Sequence, residues 1–361
     1  MKVTYNWLKD YIKLPLSPEQ LGEKFSSLGI AVETVTPVGF DISGVVVGQI
    51  EKIEKHPNAD KLVYCSVNTG SGTKNIVCGA TNMKERDKVP VALDGAFLPG
   101  DFKISDRKVR EILSEGMMCS GKELGILEDA GGLLILPEDA PLGKDIVEYL
   151  QLKDWVYELE ILPNRPDYLG TIGVARMLSA ALKLPLTLPK IDLLEAPKET
   201  AASAVMVTIK DATLCPRYTA RVIKGVRPGE APLWMKIRLA RSGIRPISNI
   251  VDITNYVLLE AGHPLHAFDL KLLSGGEIIV RRAAVGEELT TLDGVKRKMA
   301  AENLVIADAD RAVALAGIMG GKTAEITSVT TDILLESAYF DPVNIRKTSK
   351  ALNISTEASF R

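Results

Sequence analysis

Apolar and polar residues change their spacing several times along this chain of 361 residues. At Ser17-Pro18-Glu19-Gln20 the pattern predicts a helix start: serine can cap, proline fits the first helical position, and glutamine completes a capping box. Gly29 stands where that helix should stop, since glycine tolerates the left-handed backbone of a helix end. Beyond Ile42 the period shortens. The runs VVVGQIEKIEKH, LVYCSVNTG, KNIVCGA and KVPVALDGAFLP, and the segment on to Met118, are short, β-rich and punctuated by glycine and proline. They predict a small antiparallel barrel.

The length and number of these runs suit an OB-type barrel, with a sandwich as the arrangement the same alternation also permits. Ile172 to Leu184 returns to helical spacing, and Leu184 to Glu199 then becomes proline-rich and linker-like. The remainder mixes strand runs (AVMVTI, YTARVI, EIIVRRA, LVIADAD, AVALAGI, DILLESAYF) with helices at Pro232 to Arg241 and Ile247 to Glu260. Leu292-Asp293-Gly294-Val295 signals a hairpin. The expected organisation is α+β and multidomain: a mixed unit from residues 1–39 plus 151–199, an OB-type domain at 40–150, and an α+β domain at 200–361.

Composition narrows the classes. Hydrophobic residues at 46% and charged residues at 25% fit an ordinary globular chain. The longest apolar stretches, such as Leu133 to Leu136, fall far short of the roughly 20 residues of a membrane helix, so no membrane partner is expected. Lys9, Asp10 and Lys13 interrupt the apolar run a secretory leader needs, which makes the cytoplasm the expected compartment. Cys65, Cys78, Cys119 and Cys215 form no Cys-x-x-Cys pair and read as reduced, mostly buried thiols.

Net charge is only −2, so attraction to nucleic acid must be local. Phe40 to Leu150 carries 13 basic and 18 acidic residues, and Thr200 to Arg361 carries 21 and 17. Between Arg217 and Arg245 there are eight Lys or Arg and one acid, Glu230. That run is either a phosphate-facing patch or a solvated surface.

Three features invite chemistry. Ala316-Gly317-Ile318-Met319-Gly320-Gly321-Lys322-Thr323 loosely fits a phosphate-binding loop, but the residues after it are β-branched and poor helix formers, so a tight strand-to-strand turn explains the glycines better. His266 follows a proline turn after a helix, where an imidazole could face a cleft or be satisfied by backbone. Of the other histidines, His56 lies in another expected domain, and no cysteine or carboxylate stands at ligand spacing beside His263 and His266; no metal site is expected. Glu336 lies in the apolar run DILLESAYF, where an ionised carboxylate must have a polar face or a partner.

The barrel segments His56-Pro57-Asn58-Ala59-Asp60-Lys61-Leu62, Val77-Cys78-Gly79-Ala80, Gly95 to Gly100, Ser114 to Ser120 and Glu123-Leu124-Gly125 resemble the tRNA-binding barrel of several synthetases. The flanks carry Tyr5-Asn6-Trp7-Leu8, Arg245-Pro246, Val251-Asp252-Ile253-Thr254-Asn255-Tyr256-Val257, Gly262 to Asp269 (GHPLHAFD), Leu334-Leu335-Glu336 and Thr356-Glu357-Ala358-Ser359. Together they resemble the β subunit of bacterial phenylalanyl-tRNA synthetase over essentially the whole chain. Members of that family are about twice as long, so the resemblance implies an amino-terminal portion ending within the editing region.

The resemblance implies hydrolytic proofreading of tyrosyl-tRNA(Phe), with aminoacylation left to the α subunit. It assigns catalysis to His266 and Glu336, with Glu336 reading the tyrosine hydroxyl. Arg245 would hold the tRNA 3′ end, Thr254 and Asn255 would line the cleft, Gly317 would let backbone approach the substrate, and Thr356 and Ala358 would close the amino-acid pocket. Phe360 stands where many members have histidine and is left out. No cofactor is implied in this chain; ATP and magnesium belong to the full synthetase. The implied partners are the tRNA(Phe) 3′ end and a catalytic α subunit in an α2β2 assembly, with no DNA. The competing expectation is a non-enzymatic tRNA-binding and subunit-assembly scaffold.

Overall fold

The computed structural model describes residues 1–128 and 131–361 and divides the chain into two units. The first comprises Met1–Lys9, Leu14–Glu160 and Leu233–Arg245; the second comprises Asp10–Lys13, Ile161–Pro232 and Pro246–Arg361. The class is mixed α and β, with mostly antiparallel sheets.

In the first unit, Ser17 caps the helix Pro18–Ser27 and exchanges both capping-box bonds with Gln20. Gly29 follows with φ of 80°. A three-stranded sheet places Asp154–Glu160 between Lys2–Thr4 and Ala31–Val38, pairing segments that precede and follow residues 40–150. A second sheet orders its strands as Met117–Met118, Lys88–Leu98, Ser43–Lys55, Val63–Asn68 and Thr73–Cys78. Its two edges approach: the Glu115 amide donates to the Asn75 carbonyl, and Ile50, Cys65, Val67, Ile76, Val89 and Val91 cluster inside.

The second unit stacks two sheets. One runs Met206–Ile209, Glu277–Arg282, Leu304–Ala307, Ala312–Leu315 and Met319–Gly320. The other sets Asp332–Tyr339 between Arg217–Lys224 and His266–Asp269, both antiparallel to it. Their facing side chains, among them Tyr218, Phe268, Ile278, Val280, Ile306 and Leu334, form one core. On the far side of the three-stranded sheet, Ile250 of the helix Asn249–Ala261 packs with Ala267 and Ile333. The hairpin strands Glu288–Thr290 and Lys296–Lys298 pair as expected, with Gly294 at φ of 80°.

The basic run is divided between the two units. Arg217 to Arg227 belong to the second unit and Lys236 to Arg245 to the first. Arg221 pairs with Glu195 at 2.6 Å, Lys224 pairs with Glu199, and Arg241 pairs with Asp154 at 3.2 Å. The division arises because the chain passes between units after Pro232 and again after Arg245. The segment expected at 151–199 is likewise divided after Glu160.

Candidate active site

His266 and Glu336 are directly opposed across two antiparallel strands. Cross-strand partners put their side chains on one face with Cβ atoms about 4.5–5.5 Å apart. Period-two alternation fixes which face: Leu334, Glu336 and Ala338 alternate with Ile333, Leu335 and Ser337, and Leu334 and Ala338 belong to the core between the sheets. Glu336 therefore enters an apolar interior and is 6% exposed.

The surroundings of the two groups set their charge. Burial raises the Glu336 carboxyl to about 8, against a weaker opposing effect of the Tyr218 hydroxyl. Burial lowers the His266 imidazole to about 4, although the residue as a whole is only half-buried. Both shifts favour neutral forms, as desolvation requires. Among the described residues Glu336 Oε2 is buried with no hydrogen-bond partner. Among the described residues neither ring nitrogen of His266 is bonded, while the ring meets Phe268 edge-on at 4.5 Å.

Gly320 completes this corner. A methyl group on its α-carbon would lie 2.4 Å from His266 Cε1 and 2.5 Å from Nε2, so the imidazole rests against bare backbone. The loop that suggested a phosphate site is a turn between the paired strands Ala312–Leu315 and Met319–Gly320, with Gly317 at φ of 66°. Gly317 faces Ile345 and Phe340. Thr356 donates its hydroxyl to the Ile318 carbonyl at 2.9 Å and caps the short helix Glu357–Phe360, which carries Ala358.

The other expected residues lie on other elements. Thr254 is buried on the helix Asn249–Ala261 and donates to the Val251 carbonyl at 2.7 Å; Asn255 follows it, half-buried. That helix ends at Gly262, whose φ of 76° turns the chain toward His266. Arg245 is exposed and belongs to the first unit. His56, by contrast, is a structural residue: its Nδ1 accepts from the Asn58 amide at 3.1 Å and its Nε2 contacts the Val109 carbonyl at 3.2 Å.

Two residues near the pair escaped the sequence reading. Tyr218 occupies the same face, and Cys215 is close enough for Glu336 to help raise its thiol, which burial chiefly pushes to about 11. The alternation Tyr218, Ala220, Val222 marked one face of that strand, but only the strand order shows that it adjoins Glu336. Cavities of about 340 and 390 Å³ lie elsewhere, the first beside Asp145 and Lys153, the second beside Arg176 and Leu188.

Residues 214–361 match the family described as "B3/4 domain", and residues 45–145 match "Putative tRNA binding domain". Over its full length the chain is 50% identical to the phenylalanine–tRNA ligase beta subunit of Geobacter metallireducens and covers 45% of that protein. It is also 50% identical to the beta subunit of Geobacter sulfurreducens, again covering 45%. The Clostridium tetani beta subunit is 50% identical over 99% of this chain and 46% of its own length. The chain thus spans less than half the length of the relatives it matches.

Proposed function

Because the chain belongs to the phenylalanine–tRNA ligase beta subunit family, matching its amino-terminal portion, we propose that its His266–Glu336 face removes wrongly attached tyrosine from tRNA(Phe) by ester hydrolysis. The observation that carries this reading is the cross-strand pairing of the two residues on a buried face.

The chemistry follows from the two charge states. The attacking water adds to the ester carbonyl carbon, the bond to the ribose oxygen breaks, and the leaving oxygen takes a proton to regenerate the ribose hydroxyl. An imidazole held near 4 is neutral at physiological pH and accepts a hydrogen bond from water. So weak a base orients that water more than it removes its proton. The aminoacyl ester is already activated, so positioning supplies much of the acceleration.

Glu336 supplies selection. With its carboxyl near 8, the acid form outnumbers the carboxylate by about ten to one at pH 7. In either form it can bond a phenol hydroxyl, whereas a phenylalanine ring leaves it unpaired in the core and loses affinity accordingly. A pocket for phenylalanine rejects an added hydroxyl by only about a hundredfold, so a second selective step has a purpose. In this reading the curled sheet is an OB-type tRNA-binding barrel, Arg245 holds the tRNA 3′ end, Thr254 and Asn255 line the cleft, Gly317 lets backbone approach the substrate, and Thr356 and Ala358 close the amino-acid pocket. The partners are the tRNA(Phe) 3′ end and a catalytic α subunit in an α2β2 cytoplasmic assembly, where ATP and magnesium serve aminoacylation.

Incubating the 361-residue chain with tyrosyl-tRNA(Phe) and phenylalanyl-tRNA(Phe) tests the reading. Selective loss of the tyrosyl ester is expected, abolished in His266→Ala and weakened in Glu336→Ala. Equal stability of both esters with a folded chain would favour the scaffold role.

A further inference from the structure

Tyr218 and Glu336 each face an alanine. On the sheet's buried side, Tyr218 is opposite Ala338 and Glu336 is opposite Ala220. Between these two strands neither large polar side chain meets a bulky partner straight across, although Glu336 has His266 opposite it on its other side, so the two can reach each other diagonally, a separation that long and aromatic side chains span. The Tyr218 hydroxyl and Glu336 Oε2 are both buried, and among the described residues neither has a hydrogen-bond partner of ordinary geometry. Two adjacent orphaned groups in one core are costly separately and satisfied together.

We propose that Tyr218 is a positioning residue for Glu336: its hydroxyl donates to the inner carboxyl oxygen Oε2 when substrate seats, holding the carboxyl beside His266 to read the incoming phenol. The proposal rests on the proofreading function above. A loose contact that tightens in the substrate complex is common for catalytic hydrogen bonds. Electrostatics agree with the geometry: burial pushes the Tyr218 hydroxyl well above its ordinary value, the Glu336 charge adds to that rise, and the Tyr218 hydroxyl in turn favours the Glu336 carboxylate.

Among the described residues the titratable groups beside the pair include His266, opposite Glu336, and the Cys215 thiol, just before the Tyr218 strand. The sheet packed above presents apolar Ile278, Val280, Leu304 and Ile306 to this core. A change in Glu336 titration on removing one hydroxyl therefore reports on Tyr218.

The test compares Tyr218→Phe with the unmodified chain in two measurements. Hydrolysis of tyrosyl- and phenylalanyl-tRNA(Phe) is followed from pH 6 to 9.5, and the Glu336 carboxyl is titrated directly by carbon-13 NMR. The expected result is a roughly tenfold loss of kcat/KM on the tyrosyl ester, the phenylalanyl ester unchanged, and a Glu336 midpoint moved to higher pH. Tyr218→Leu serves as the packing control, and thermal melting checks that each variant folds. A folded Tyr218→Phe chain with unaltered selectivity and midpoint overturns the proposal. If the midpoint moves although the unmodified chain cleaves neither ester, the coupling stands and the proofreading reading falls.

Discussion

The imidazole of His266 rests on the α-carbon of Gly320, so closely that a methyl group there would reach within 2.4 Å of Cε1. The backbone at Gly320 is not among the positive-φ positions, so alanine fits the chain itself and the collision falls on the ring. Gly320→Ala should therefore displace His266, cutting ester hydrolysis at least tenfold while costing about 1–3 kcal/mol of stability. Gly317→Ala is the contrast: φ of 66° strains any side chain, and the added methyl meets Ile345 at 3.0 Å and Phe340 at 3.1 Å. Paired hydrolysis and melting measurements should separate the two, and an unimpaired Gly320→Ala would contradict this geometry.

Opposite shifts at neighbouring residues give the fold an uneven response to pH. Glu336 binds its proton up to about 8 when folded, against 4.5 for an ordinary glutamate, so the native state holds the extra proton and stability falls as pH rises through that window. His266 titrates near 4 rather than 6.5, so its contribution is complete above 6.5 and is lost as pH falls toward 4. The effects oppose between 4.5 and 6.5 and leave Glu336 alone above it. From pH 6.5 to 8 the chain should lose about 1–2 kcal/mol relative to Glu336→Gln. Urea unfolding of both proteins at the two pH values checks this; parallel curves would refute it.

Local signals were readable in the sequence, and relations between distant strands were not. Ser17 and Gln20 lie three residues apart, and their capping box needs nothing beyond its own turn. The Leu292 to Val295 turn and the tight turn at Gly317 are equally local. Alternation in DILLESAYF marked Glu336 as unusual, but its facing residue, His266, lies 70 positions earlier and is set by strand order. Tyr218 was missed for the same reason. The helix Pro342–Leu352 was passed over although its signal is local: Asp341 caps it, accepting from the Asn344 amide at 2.7 Å, and Pro342 takes the first turn.

Thr356 ties a four-residue helix to the glycine turn. Its hydroxyl donates to the Ile318 carbonyl and accepts from the Ser359 amide. Thr356→Val removes both bonds at nearly constant volume, and a lost cap costs about 1 kcal/mol. So short a helix should fray locally, without an equal change in global stability. Hydrogen exchange at Ser359 and Phe360 should accelerate several-fold in the variant; unchanged protection would show that other contacts hold the segment.

Asp154 and Arg241 test the first unit. Asp154 is 1% exposed, accepts from the amides of Asn6 and Trp155, and faces Arg241 Nη1 at 3.2 Å. Burial raises the Asp154 carboxyl and lowers the Arg241 guanidinium, so for both groups desolvation outweighs the attraction between them. Such a pair contributes little beyond a well-packed apolar substitute, yet losing one member strands the other's charge in the interior. Arg241→Met should destabilise the chain by about 3–5 kcal/mol by leaving the Asp154 carboxyl without its cation. Asp154→Asn added to that variant should recover part of the loss, because a neutral amide carries a smaller desolvation cost and its oxygen still accepts from the two amides. A double-mutant cycle by urea unfolding measures the coupling, and strictly additive losses would mean that the two side chains act independently.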